Sequence, residues 1–134
     1  MKWTLALPLL LAACAQQADL DASPANASFQ IGSPYQQAYA SLNKGARTCM
    51  AGTSGSVVDG QLYPDLGYGE VSAGMQALSY LPVMEARVAK SGAGSALTVK
   101  STGMAKAGIA RWANYWANGG TRCPSLSMAE SPPA

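Results

Sequence analysis

The chain has no histidine. That removes the side chain whose charge changes between pH 5 and 8, the usual base of a Ser/His/Asp triad and the commonest metal ligand. Charged residues make up only 12% of 134 positions, nine basic against seven acidic. Such a balance steers nothing toward nucleic acid, and no basic stretch is interleaved with aromatics. Cysteine is sparse: there are three, with no C-x-x-C pair, which excludes the common thiol-exchange motif and a zinc site of the usual ligand set. No apolar run reaches the roughly 20 residues of a spanning helix. The residues therefore imply no metal, cofactor or nucleic-acid partner.

What is present is 49% hydrophobic, with 14 glycines and 8 prolines, a composition for one small domain with many turns. Lys2 opens the chain with a positive charge, and Trp3 to Ala13 is apolar apart from Thr4. A short basic start, a short apolar run and small residues at its end mark an export signal. Leu11-Ala12-Ala13-Cys14 resembles the lipobox of bacterial lipoproteins. The resemblance implies that the Cys14 thiol is diacylglycerated, that residues 1–13 are cut away, and that the new terminal amine is acylated in turn. Each buried methylene contributes about 0.8 kcal/mol, and two or more chains hold stably where one binds only marginally. Cys14 would thus fix the protein to a membrane. By resemblance to lipoprotein sorting, Ala15 at the next position implies the outer membrane, facing the periplasm. Residues 14–28 hold little to bury and read as the lipidated cysteine and a flexible tether.

With Cys14 assigned to lipid, Cys49 and Cys123 remain as a pair in an oxidising compartment, where two cysteines of a small domain usually bridge. Two free thiols or an intermolecular bridge are the alternatives at this point.

From Phe29 onward the pattern predicts one α+β domain over residues 29–124. Ser33-Pro34 suits a helix start, Ser as cap and Pro at the first helical position. Tyr35, Tyr39, Leu42, Ala46 and Cys49 then recur at helical steps to about Met50. Ser56–Tyr63 reads as a strand and Pro64-Asp65-Leu66-Gly67 as a turn; Tyr68–Ala73 reads as a weak or bulged strand. Val83–Lys90 alternates Met84, Ala86 and Val88 against Glu85, Arg87 and Ala89; helix competes there, because Met, Glu, Ala, Arg and Lys all favour it, and Pro82 keeps strand ahead. A loop at residues 91–95 leads to a fourth strand with Leu97 and Val99 on one face. Met104, Gly108, Ile109, Trp112 and Trp116 share a final helical face, stopped by Gly119-Gly120. The expected architecture is an antiparallel sheet of about four strands with both helices packed on one face. Residues 125–134 read as a disordered tail.

This organisation resembles small Gram-negative lipoproteins that combine a lipobox, a tether and two paired cysteines around a short sheet. The resemblance lies in Leu11–Cys14, in Cys49 and in the WANGGTRC stretch from Trp116 to Cys123. Such proteins are generally not enzymes of known activity, so it implies location rather than mechanism.

Four sets of residues invite a chemical reading. Ser41 and Lys44 match the S-x-x-K pattern of penicillin-recognising serine enzymes, but residues 100–103 read KSTG rather than K-T-G, and a Ser and Lys three apart are common on a solvated helix face. Asp59, Asp65, Glu70 and Glu85 could supply paired carboxylates, yet the first two sit in turn-like sequence. The glycine-rich stretches at 52–55 and 91–95 lack the lysine of a phosphate loop. Tyr63, Tyr68 and Tyr115 are the candidate binding residues, since aromatics give contact area at low entropy cost, whereas the spacing of Trp112 and Trp116 means core. The expectation is a non-catalytic envelope lipoprotein that presents its domain to another envelope component. The alternative is a binding module for a lipid, peptide or glycan fragment; a small hydrolase is the third reading.

Overall fold

The computed structural model describes residues 27–52 and 55–134. The export signal, Cys14 and nearly all of the tether lie outside them. The elements run β1 (Ala27–Ile31), α1 (Tyr35–Met50), β2 (Ser56–Tyr63), a 3-10 turn (Pro64–Leu66), β3 (Tyr68–Gln76), β4 (Tyr80–Ser91), β5 (Gly94–Ser101) and α2 (Lys106–Ala117). The class is α+β. All strands pair antiparallel in the order β1-β5-β4-β3-β2, so the sheet has five strands rather than four.

The additional strand is β1, whose first two residues fall inside the stretch read as tether. Ala27, Phe29 and Ile31 point to the helical side, opposite Val99, Leu97 and Ser95 of β5. The period is that of a strand, but it covers only five residues and begins on an alanine.

One face of the sheet is apolar and the other polar, as strand alternation dictates. Val58, Val71, Ala73, Met84, Ala86, Val88, Leu97 and Val99 are buried on one side. Both helices cover that side, α1 over β2, β3 and β4, α2 over β5 and β1, and the two helices pack on each other. Ala38, Leu42, Gly45 and Ala46 of α1 meet Gly108, Ile109, Trp112, Ala113 and Trp116 of α2 in this layer. Gly45 lets the Trp116 ring lie directly on the α1 backbone. Met104, placed on the α2 face by spacing, is instead fully exposed in the turn before the helix. Ser33 does not cap α1: Pro34 occupies the cap position, and the Ser33 carbonyl accepts a hydrogen bond from buried Ser95.

Pro82 lies inside β4, although it has no N–H to donate to the ladder. It pairs with Gly74 where the register shifts between Ala73 and Gly74, and an extra residue at a bulge is where a central strand tolerates proline. Thr102 then fastens the region, donating its amide to the Val83 carbonyl and its hydroxyl to the Pro82 carbonyl. Residues 91–95 form a tight turn, with Ser91 paired to Gly94 and Gly92 at φ +59°.

Cys49 and Cys123 form a disulfide, 5.2 Å between Cα atoms, joining the end of α1 to the segment after α2. Within residues 125–134, expected as a disordered tail, the stretch 125–130 folds back on α2. The Trp112 indole N–H donates to the Glu130 carbonyl at 2.8 Å, and the Met128 backbone lies against Gly108. The Glu130 carboxylate accepts from the Ser125 amide and hydroxyl, closing the tail into a loop. Among the described residues, no helix is long and apolar enough to cross a membrane.

Candidate functional site

Among the described residues nothing covers the polar face of the sheet, because both helices are on the other side. Strand register arranges its side chains into rows across the strands. Tyr63 stands opposite Tyr68. The next row is Gln61, Glu70, Arg87 and Thr98, and the one after it is Asp59, Ser72, Glu85 and Lys100. Alternating strand sequence thus becomes a patterned surface.

Cross-strand neighbours lock this pattern. Arg87 donates from Nε to the Glu70 carboxylate at 2.9 Å and forms an ion pair with it through the second nitrogen. The same guanidinium lies 4.4 Å from the centroid of the Tyr68 ring, a cation–π contact. Tyr68 in turn packs on Tyr63, with centroids 5.0 Å apart. A continuous chain of contacts therefore runs Tyr63, Tyr68, Arg87, Glu70. The hydrogen bond from Arg87 to Glu70, reinforced by the nearby negative charge, pushes the guanidinium pKa further up.

A cleft of about 240 Å³ lies beside this chain, bordered by Asp59, Gln61, Tyr63, Glu70, Ser72 and Tyr80. A second, of about 210 Å³, adjoins it between Glu70, Glu85, Arg87, Thr98 and Lys100. Tyr80 shapes the first. Its ring lies on Gly74, where any Cβ would collide with it. Burial raises the Tyr80 pKa above 10.0, hydrogen bonding with Ser72 works against that, and the charges of Asp59 and Glu85 add to it. The phenol therefore stays protonated and can donate a hydrogen bond beside carboxylates that accept.

No family model, curated protein or solved structure matches this chain.

Of the three tyrosines singled out from sequence, Tyr63 and Tyr68 meet on the open face and Tyr115 does not join them. Tyr115 is on α2, in the opposite layer, edge-on to Trp112 at 5.4 Å, with its ring against Gly120 and its hydroxyl accepting from the Arg122 amide. It shapes the exit of α2. Trp112 and Trp116 are buried in the core. Asp59, Glu70 and Glu85 share the open face, while Asp65 sits apart, exposed in the 3-10 turn. Arg87 pairs with Glu70 across strands rather than with Glu85 on its own strand. Ser41 borders a small cleft with Gly32, Ser33, Gln37, Ala117, Asn118 and Gly119, and none of those side chains is a base. Cys14 lies outside the described residues. Sequence reasoning missed Tyr80, which follows a loop and reaches the open face only because of the bulge beside Gly74.

Proposed function

We propose that this chain is a non-catalytic lipoprotein of the bacterial envelope, anchored through acyl chains on Cys14 to the outer membrane and facing the periplasm. Its open sheet face is the surface it presents to another envelope component. The observation that supports this most is the face that the described residues leave uncovered: tyrosines, an arginine and carboxylates are held in register by one another. Tyrosine and arginine are the residues that interfaces enrich, and fixed charges set partner choice.

Two measurements test the two halves separately. Intact-mass analysis of the native protein should find Cys14 at the terminus, carrying diacylglycerol and an amide-linked acyl chain; a bare terminus on freely soluble material rejects the anchor. A photo-crosslinking residue at Gln61 should capture an envelope component in living cells, whereas one at Gln36 on the solvent side of α1 should not. Equal capture from both positions, or none from Gln61, rejects the interaction face.

A second reading is favoured by the cleft beside Tyr63. A tyrosine ring flanked by carboxylates and a phenol suits a glycan fragment, with the ring stacking on a sugar and the acids accepting from its hydroxyls. Saturable binding of a purified oligosaccharide, lost in Tyr63→Ala, would favour that reading over a protein partner.

A further inference from the structure

The domain has a chemically distinct end. Seven large apolar side chains are exposed among the described residues, and six of them, Val57, Met75, Leu78, Leu81, Met104 and Leu126, gather where the β3–β4 hairpin turns. Leu66 alone is elsewhere, beyond the opposite end of β2. The contacts that bring the six together are explicit. The Gln76 amide donates to the Gly55 carbonyl, which places the start of β2 beside the hairpin. Thr102 binds Pro82 and Val83, which places the turn carrying Met104 against the start of β4. Met75, Val83 and Leu126 border one cleft of about 350 Å³, together with Met50 and Met128.

Exposure at this end is extreme. Leu78 is 95% exposed, Leu126 94% and Met104 fully so. Each stands at the tip of a separate segment, and water gains nothing polar from any of them. The segments meeting here are also uncharged. No Asp, Glu, Lys or Arg occurs in residues 48–58, 71–84, 101–105 or 123–129. Exposed apolar side chains gathered at one uncharged end suit a surface that is covered in use.

The chain direction indicates what covers it. β1 runs antiparallel to β5, with Ala27 opposite Val99 and Ile31 opposite Ser95. β5 ends at Ser101, paired with Met84 at the start of β4's regular register. The segment preceding Ala27 therefore enters β1 from the apolar end. Twelve residues separate Cys14 from Ala27, a length that reaches about 40 Å at full stretch. A membrane anchor at Cys14 would lead into the domain at this end.

We propose that the apolar end seats in the interfacial layer of the membrane that holds the Cys14 acyl chains, with Leu78, Leu126 and Met104 inserted. The inference rests on the lipid-anchor reading above for its geometry. Seating sets the strands across the membrane plane and turns the open face sideways, so the anchor fixes an orientation as well as an address.

The test uses the full chain as its host produces it, placed in vesicles of phosphatidylethanolamine and phosphatidylglycerol with brominated acyl chains. Tryptophan is introduced singly, as Leu78→Trp or as Leu66→Trp at the far end, and quenching of the parent chain is subtracted. Both positions are exposed, so the core is undisturbed. Where the Cys14 thiol proves free, it is coupled to a maleimide phospholipid. The tether geometry is then the same, and failure of natural acylation, read by mass, is separate from failure of seating. Quenching several-fold stronger for Leu78→Trp than for Leu66→Trp is the expected result. Equal quenching, or none at Leu78→Trp, overturns the proposal. So does a stable dimer that protects Leu78→Trp in vesicles, which would assign this end to a second copy of the chain.

Discussion

At the scale of single residues, two side chains owe their behaviour to a missing Cβ. Gly45 is a poor helix residue in the middle of α1, and alanine there would favour the helix by about 1 kcal/mol. The Trp116 stem occupies that space, and overpacking costs about 1–3 kcal/mol when the obstructing atoms are not a flexible tip. Gly45→Ala should therefore lower the urea midpoint despite its better propensity. Tyr80 is the second case, seated on Gly74. Its pKa, like that of Tyr39, is raised by burial above 10.0. Below that value both folded and unfolded chains hold the proton, and nothing depends on pH. Above it the unfolded chain releases its proton first, so stability falls as pH rises through the folded value. A denaturation series from about pH 9 to 11 should show this loss, and Tyr80→Phe should make the curve shallower.

At the scale of elements, the disulfide and the C-terminal segment act together. Closing a loop across 74 residues restricts the unfolded chain by about 4 kcal/mol in the chain-entropy account. Paired Ser at Cys49 and Cys123, or reduction, should lower the melting temperature and also release residues 124–130 to proteolysis. That segment is otherwise held by Trp112 and the Gly108 surface. Trp112→Phe isolates the second hold: the bridge stays, one indole hydrogen bond goes, and protease nicking should move to the segment after Pro124. These elements also show what the sequence makes legible. Met84, Ala86 and Val88 announced β4 because every second side chain is apolar, and the Leu42–Ala46 stripe announced α1. The segment after Cys123 carries no such period, since it docks through backbone carbonyls of Met128 and Glu130 that any residue could supply. β1 was hidden by its length and its small first residue. The Tyr63–Tyr68 contact could be read from the turn between them, whereas Tyr115 and Tyr80 could not be placed: one depends on how α2 exits, the other on a bulge.

At the scale of the whole molecule, the fold separates three surfaces that composition alone averages into a nearly neutral protein. The helices cover one face of the sheet, charge and aromatics occupy the other, and apolar tips collect at one end. On the open face, Arg87 is the node, touching Glu70 and Tyr68 at once. Its side chain is 53% exposed, so the ion pair contributes no more than about 1 kcal/mol to stability. The same pair decides the sign of the surface. Arg87→Glu would leave Asp59, Glu70 and Glu85 with a fourth carboxylate and with Lys100 as the cation of those two rows. Because like charges across a partner boundary cost several kcal/mol, a component that meets this face should be lost even though the fold persists. The expected outcome is a melting temperature within a few degrees of the parent together with loss of photo-crosslinking from Gln61. A variant that melts normally and still captures the same component from Gln61 would place recognition away from the Arg87 row and leave the open face without its proposed role.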